Sequence, residues 1–129
     1  TQGLTVVPIP LHPAKEQKRG FNQAELLAKS FCELTGYPLE PRGLERVRDT
    51  EALNQLSPAQ RRETLANSMT VGARLRRRQP KPGVILLDDI YTTGATCQEA
   101  IATLSQQGIL VYGIAAIAST QPLDQGITA

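Results

Sequence analysis

The stretch Val84-Ile85-Leu86-Leu87-Asp88-Asp89-Ile90-Tyr91-Thr92-Thr93-Gly94-Ala95-Thr96 decides the fold. Its four leading apolar residues follow Pro82-Gly83 and predict a buried strand of a parallel sheet. Two carboxylates, Asp88 and Asp89, stand where that strand should leave the sheet. A Thr/Gly loop follows, then an amphipathic helix with Ala100, Ile101 and Leu104 on one face and Gly108 as its stop. The N–H groups of such a loop, together with the helix N-terminus, form a cradle for one phosphate. The Thr hydroxyls add donors, and the carboxylates can accept hydrogen bonds from two adjacent sugar hydroxyls. This order of features predicts a site for a phosphorylated ribose. The plainer alternative is an ordinary strand-to-helix connection with a Thr cap. Against it, an acidic pair at a sheet end costs free energy unless something uses it. A Walker-type phosphate loop is excluded, because that loop needs a Lys after its last Gly and Gly94 is followed by Ala95.

Composition sets the bounds around this core. A chain of 129 residues is one domain by size, read as 1–129 throughout. A net charge of +2 does not make it a polycation. No apolar run approaches a membrane span, and no signal peptide is visible. Cys32 and Cys97 are far apart and outside any metal spacing, which reads as two reduced thiols in a cytoplasmic protein. The chain begins at Thr1, almost directly in a strand and without an initiator Met, which suggests a fragment or a trimmed domain.

Leu4 to Pro10 reads as the first strand, with Pro8 and Pro10 ending its supply of ladder donors. A loop follows from Leu11-His12-Pro13 to Gly20, and its cations Lys15, Lys18 and Arg19 can meet a polyanion or simply be solvated. Asn22 is a good N-cap for a helix carrying Ala24, Leu27, Ala28, Phe31 and Leu34 as far as Gly36. Tyr37-Pro38-Leu39 looks like the opening of a second short strand, and Arg42, Arg46 and Arg48 come next. Ser57-Pro58-Ala59-Gln60 starts a short helix, with a capping box and Pro at its first position, that ends near Asn67. The basic run Arg74 to Pro82 shows no periodicity and ends in prolines, so it reads as a loop into the central strand. Ile109 to Ala118 is apolar and β-branched enough for another buried strand, and the polar tail from Ser119 is expected to fray.

The alternation of strands and helices predicts an α/β fold: a parallel sheet with helices on both faces. Ligands of such sheets bind beyond the carboxyl ends of the strands, where strand order reverses. The loop after the first strand and the Asp88/Asp89 loop should therefore face one crevice.

Several blocks make the likeness to a known family specific. The apolar strand, acidic pair and Thr-Thr-Gly loop resemble the signature of type I phosphoribosyltransferases, which bind 5-phosphoribosyl-1-pyrophosphate (PRPP). Val7-Pro8-Ile9-Pro10-Leu11-His12, Arg19-Gly20-Phe21-Asn22-Gln23, Arg46-Val47-Arg48-Asp49-Thr50 with Gln55, and Arg61-Arg62 together resemble the ComF family. That family is one of phosphoribosyltransferase-like proteins of bacterial natural competence and DNA uptake. The resemblance implies that Asp88 and Asp89 hold the ribose 2′- and 3′-hydroxyls as the catalytic pair. It implies that Tyr91, Thr92, Thr93, Gly94, Ala95 and Thr96 bind PRPP around its 5′-phosphate. Pro10, Leu11, His12, Lys15, Lys18 and Arg19 would then lie on the pyrophosphate side, with Mg2+ brought in by PRPP and no direct metal ligand. Many members carry a Cys-rich zinc-binding segment ahead of this domain, and this sequence has none. Ala14, Glu16 and Gln17 also thin out the basic stretch of the family's first loop.

Phosphoribosyl transfer asks the protein mainly for positioning and charge neutralisation at an oxocarbenium-like centre. No side chain stands out as a general base. His12 could transfer a proton, although a lone loop His is more often incidental. The ligand expected at the Asp88 to Thr96 loop is PRPP or ribose 5-phosphate. The readings are an enzyme that transfers phosphoribose from PRPP to an unknown acceptor, a non-catalytic PRPP-fold module among competence machinery proteins whose pocket senses a nucleotide or is vestigial, and a single-stranded DNA binder using Arg74 to Lys81. The last lacks interleaved aromatics for base stacking.

Overall fold

The computed structural model describes residues 3–48, 56–65, 68–91 and 94–119. Its elements run β1 (Thr5–Pro8), α1 (Pro13–Arg19), α2 (Gln23–Thr35), β2 (Leu44–Arg46), α3 (Pro58–Leu65), β3 (Met69–Val71), α4 (Ala73–Arg78), β4 (Val84–Tyr91), α5 (Ala95–Gln106) and β5 (Val111–Ser119). Strands β1, β4 and β5 lie side by side in that order, all parallel, with Val6 opposite Ile85 and Leu87 opposite Ala115.

The other edge of β1 carries a single parallel bridge to Leu39. There the Val6 N–H donates to the Pro38 carbonyl at 2.9 Å and the Glu40 N–H donates to the Val6 carbonyl at 2.9 Å. The chain thus leaves β1 through α2 to one side, and later returns to lay β4 on the other. Strand order reverses between β1 and β4, and the crevice beyond their carboxyl ends is where this architecture receives ligands.

Period-two alternation assigns the two faces of the sheet. Val6 and Leu87 are buried with Ala28 of α2, and Ile85, Phe31 and Ala115 pack around them. Val7, Val84 and Leu86 face the other way, into Cys97, Ala100 and Leu104 of α5 and Leu44, Val71 and Leu75 of the smaller elements. Helices therefore cover both faces, as the alternation predicts, and the architecture is compatible with a phosphoribosyltransferase-like core.

The structure corrects several expectations. Strand β4 does not end before the acidic pair. It continues through Tyr91, and Asp88 pairs with Ala116 inside the ladder, because β5 is long enough to keep supplying partners. The segment after β1 is a helix rather than a loop: Pro13 stands in its first turn, His12 caps it and Gly20 closes it at φ 92°. The basic run is likewise helical over Ala73–Arg78, anchored by Leu75, whose side chain is fully buried. One such anchor contributes about 2–3 kcal/mol and outweighs the missing periodicity. Tyr37-Pro38-Leu39 yields a bridge and not a strand. The antiparallel pair β2–β3, Leu44 opposite Val71, has no counterpart among the sequence-based expectations.

Strand β5 is not buried. Among the described residues it pairs on one side only, and it leaves Tyr112, Ile114 and Ile117 exposed. The capping box forms as expected, with the Ser57 N–H donating to Gln60 Oε1 at 2.9 Å and the Gln60 N–H to Ser57 Oγ at 3.2 Å. The expected end of that helix near Asn67, and the tail beyond Ser119, lie outside the described residues.

Candidate functional site

The crevice is built from the ends of β1 and β4. The Ile9 N–H donates to the Leu87 carbonyl at 2.9 Å, which carries the ladder one residue past β1. Asn22 then ties the start of α2 to the same point. Its Oδ1 accepts the Ala24 N–H at 3.0 Å as an N-cap, while its Nδ2 donates to the Ile9 carbonyl at 3.2 Å. Only an amide serves both purposes at once, and this explains a buried Asn here. Arg46, the last residue of β2, donates from Nε to the Pro10 carbonyl at 3.1 Å.

Strand alternation sends the two carboxylates to opposite faces. Asp88 follows Leu86 toward α5, and Asp89 follows Leu87 toward α2. Their backbones are fastened locally: the Asp89 N–H donates to Asp88 Oδ1 at 2.9 Å and the Ile90 N–H to Asp89 Oδ1 at 2.8 Å. Both line a cavity of about 170 Å3 that also takes in Pro10, Leu11, Arg19, Arg46 and Thr96. A smaller hollow of about 70 Å3, between Asp88, Tyr91, Gly94, Thr96 and Cys97, adjoins the start of α5. Gly94 caps that helix at φ 85°, and a Cβ there would lie 2.5 Å from the Tyr91 hydroxyl.

Burial, followed by hydrogen bonding to Asp89, pushes the Asp88 carboxyl up to about 6, and the Asp89 charge adds to this. The Asp89 backbone N–H and the Arg46 charge pull the other way. Burial and the Asp88 charge push the Cys97 thiol up to about 11, so it is an unreactive thiol at neutral pH.

The structure thus brings Pro10, Leu11, Arg19, Asp88, Asp89 and Thr96 around one cavity, with Tyr91 and Gly94 next to it. Ala95 is exposed in the first turn of α5. Thr92, Thr93 and the side chain of Lys15 lie outside the described residues. His12 instead caps α1, its Nδ1 accepting the Ala14 N–H at 3.2 Å, and Lys18 is exposed on α1 away from the cavity lining. Ile9, Asn22, Gln23, Ala24 and Arg46 also line the cavity and were not placed in the site by sequence reasoning. The Arg46-Val47-Arg48 run carried a signal, but a three-residue strand offers too little periodicity to say which Arg turns inward.

The basic run is partly committed to the fold. Arg78 Nη1 donates to Glu40 Oε2 at 3.1 Å, and Arg74 Nε lies 3.6 Å from Glu40 Oε1. Arg76, Arg77 and Lys81 stay exposed.

Fold and site define a parallel α/β domain with an acidic pair and cationic side chains gathered where strand order reverses. No family model matches the chain. It is 32% identical over 113 residues to Competence protein F of Haemophilus influenzae, covering 85% of this chain and 49% of that protein. It is 34% identical over 105 residues to Competence protein ComFC of Bacillus subtilis, covering 81% and 40%. To the DNA utilization protein YhgH of Salmonella typhi it is 30% identical over 105 residues, covering 80% and 44%. On these matches the chain belongs to the ComF family, and it spans half or less of the length of these relatives. Among the described residues no helix is long and apolar enough to cross a membrane.

Proposed function

We propose that this chain is the PRPP-binding part of a ComF-type protein acting in natural competence or DNA utilization, and that it transfers phosphoribose to an acceptor. One observation carries this reading: Asp88, Asp89, Thr96, Arg19 and Arg46 meet in a single cavity at the reversal of strand order. Asp88 and Asp89 accept hydrogen bonds from the ribose hydroxyls and place negative charge near the developing oxocarbenium carbon. The turn through Gly94 into α5 takes the 5′-phosphate on backbone N–H groups. Arg19, which lines the same cavity, would meet the charge of a leaving pyrophosphate as the bond from the anomeric carbon to the pyrophosphate oxygen breaks and the bond to the acceptor forms. Mg2+ would arrive with the pyrophosphate, without a direct ligand from this chain, and would neutralise the leaving group.

Calorimetry with PRPP and Mg2+ tests the site. The parent should bind, and Asp88→Asn with Asp89→Asn should weaken binding at least about tenfold, as expected for losing charged acceptors. Equal affinity in the double variant would remove the acidic pair from the site. Pyrophosphate release separates turnover from binding alone.

A second reading, binding of single-stranded DNA, is favoured by the exposed Arg76, Arg77 and Lys81 on and just beyond α4. It requires an affinity that falls steeply with salt.

A further inference from the structure

Among the described residues, Arg46 is the one charged side chain that lines both the acidic-pair cavity and the groove between α1 and β2. It lines the 170 Å3 cavity with the acidic pair. It also lines a larger groove of about 580 Å3, walled by Glu16, Arg42 and Glu45, that runs between α1 and β2. Its direction follows from its strand. Leu44 is buried in the core, and residues two apart on a strand point the same way. Arg46 therefore leaves β2 on the core side, at the rim where the core opens into the crevice. Opposite it, Met69 of β3 is buried and fixes the register.

From that position the guanidinium acts on both walls of the crevice. Its Nε holds the Pro10 carbonyl at 3.1 Å, on the β1 side. Its charge favours the ionised form of Asp88, on the β4 side. We infer that Arg46 is a positioning residue of the ribose-phosphate site, clamping the exit of β1 to Asp88 across the strand-order reversal, so that the β2–β3 sheet is part of the ligand site. This rests on the phosphoribose reading above. A planar fork suits such a clamp. One N–H is committed to a carbonyl while the delocalised charge shares a cavity with the Asp88 carboxylate, which a single ammonium cannot reproduce in the same geometry.

Among the described residues, the charged and titratable groups around Asp88 are Asp89 and Tyr91 on β4, Arg46 on β2, Cys97 on α5 and Arg19 at the end of α1. Ionised Asp88 accepts from ribose hydroxyls more strongly than the protonated acid does. Losing the Arg46 charge raises the pH at which it ionises, so ligand binding should fail at a higher pH than in the parent.

The test uses the full chain as Arg46→Gln and Arg46→Lys, each checked by a thermal melt. Without ligand, the Asp88 carboxyl carbon is titrated by NMR. Its midpoint should rise in Arg46→Gln and return close to the parent in Arg46→Lys. With ribose 5-phosphate as probe, Arg46→Gln should bind about tenfold more weakly at pH 7, with its acid loss of binding moved to higher pH. Arg46→Lys should regain the parental pH profile but stay several-fold weaker. An unmoved Asp88 midpoint in Arg46→Gln, or parental affinity in Arg46→Lys, would overturn the clamp. If the parent fails to bind ribose 5-phosphate at every pH, the phosphoribose reading falls and the clamp as a ligand device falls with it. The NMR titration then still reports separately whether Arg46 governs Asp88.

Discussion

Arg78 and Glu40 form an ion pair at 3.1 Å, although they come from a segment expected to be a loop and from the turn after a single β-bridge. The Glu40 side chain is only 5% exposed, whereas Arg78 and Arg74 are 42% and 75% exposed. This asymmetry makes the carboxylate the critical partner. Arg74→Ala with Arg78→Ala leaves the buried Glu40 carboxylate unpaired and should cost about 3 kcal/mol in urea unfolding. Arg74→Ala removes a solvated partner and should cost about 0.5 kcal/mol or less. Equal costs for the two variants would contradict the assigned burial.

The same pair shows what a sequence can and cannot display. Strands β1 and β4 were legible because each is a short apolar run bounded by Pro or Gly, and helices α2 and α5 because their apolar residues recur at helical spacing. Helix α4 was not, because its stability comes from contacts far away in sequence: Leu75 in the core, and Arg74 and Arg78 one turn apart on Glu40. Helix α1 did carry its signals, a capping His12 and Pro13 in the first turn, but its lack of an apolar stripe outweighed them. The acidic pair was legible as chemistry. Its place inside the ladder was not, since that depends on how far β5 runs alongside.

Asp88 should oppose stability where it is ionised. Its folded-state value of about 6 lies above the ordinary 3.8, so folding favours the protonated form. Stability is then highest below the ordinary value, falls as pH rises through the window up to about 6, and stays flat above it. Asp88→Asn keeps an oxygen for the Asp89 N–H and removes the charge. It should stabilise the fold at pH 7–8 by about 1 kcal/mol, allowing for solvent screening of a partly exposed group. That is a rise of a few degrees in Tm. Melts across pH 3–8 check it: the gap between variant and parent should close near pH 4, and a gap independent of pH would mean the carboxylate is not strained by its setting.

The basic helix makes a separate, quantitative expectation. Arg76 and Arg77 are exposed, whereas Arg74 and Arg78 are engaged with Glu40. If single-stranded DNA binds along α4, Arg76→Ala with Arg77→Ala should reduce the slope of log affinity against log salt by about 1.4, the value for two phosphate contacts on a single strand. Fluorescence anisotropy at several salt concentrations measures it. A parent whose affinity does not depend on salt would exclude the DNA reading.

Gly94 bears on fold and function together. Its φ of 85° is a left-handed conformation that costs any other L-residue roughly 1 kcal/mol. A Cβ there would also lie 2.5 Å from the Tyr91 hydroxyl and 3.1 Å from the ring carbon bearing it. Gly94→Val should therefore lower the Tm by several degrees yet stay folded, because β4 and α5 keep their own buried contacts at Leu86, Ala100 and Leu104. Under the phosphoribose reading it should also abolish binding of phosphate or PRPP, since the added side chain displaces backbone from the turn that leads into α5. Gly94→Ala combined with Tyr91→Phe relieves the hydroxyl clash and should recover part of the stability without restoring affinity, because the positive φ remains unfavourable. Thr93→Ala should be milder, costing about 1–2 kcal/mol of binding if the hydroxyl donates to the phosphate. Melts and calorimetry on the same samples separate the two effects. A folded Gly94→Val protein with parental affinity would mean that the phosphate does not sit at the start of α5, and the phosphoribose reading would lose its anchor.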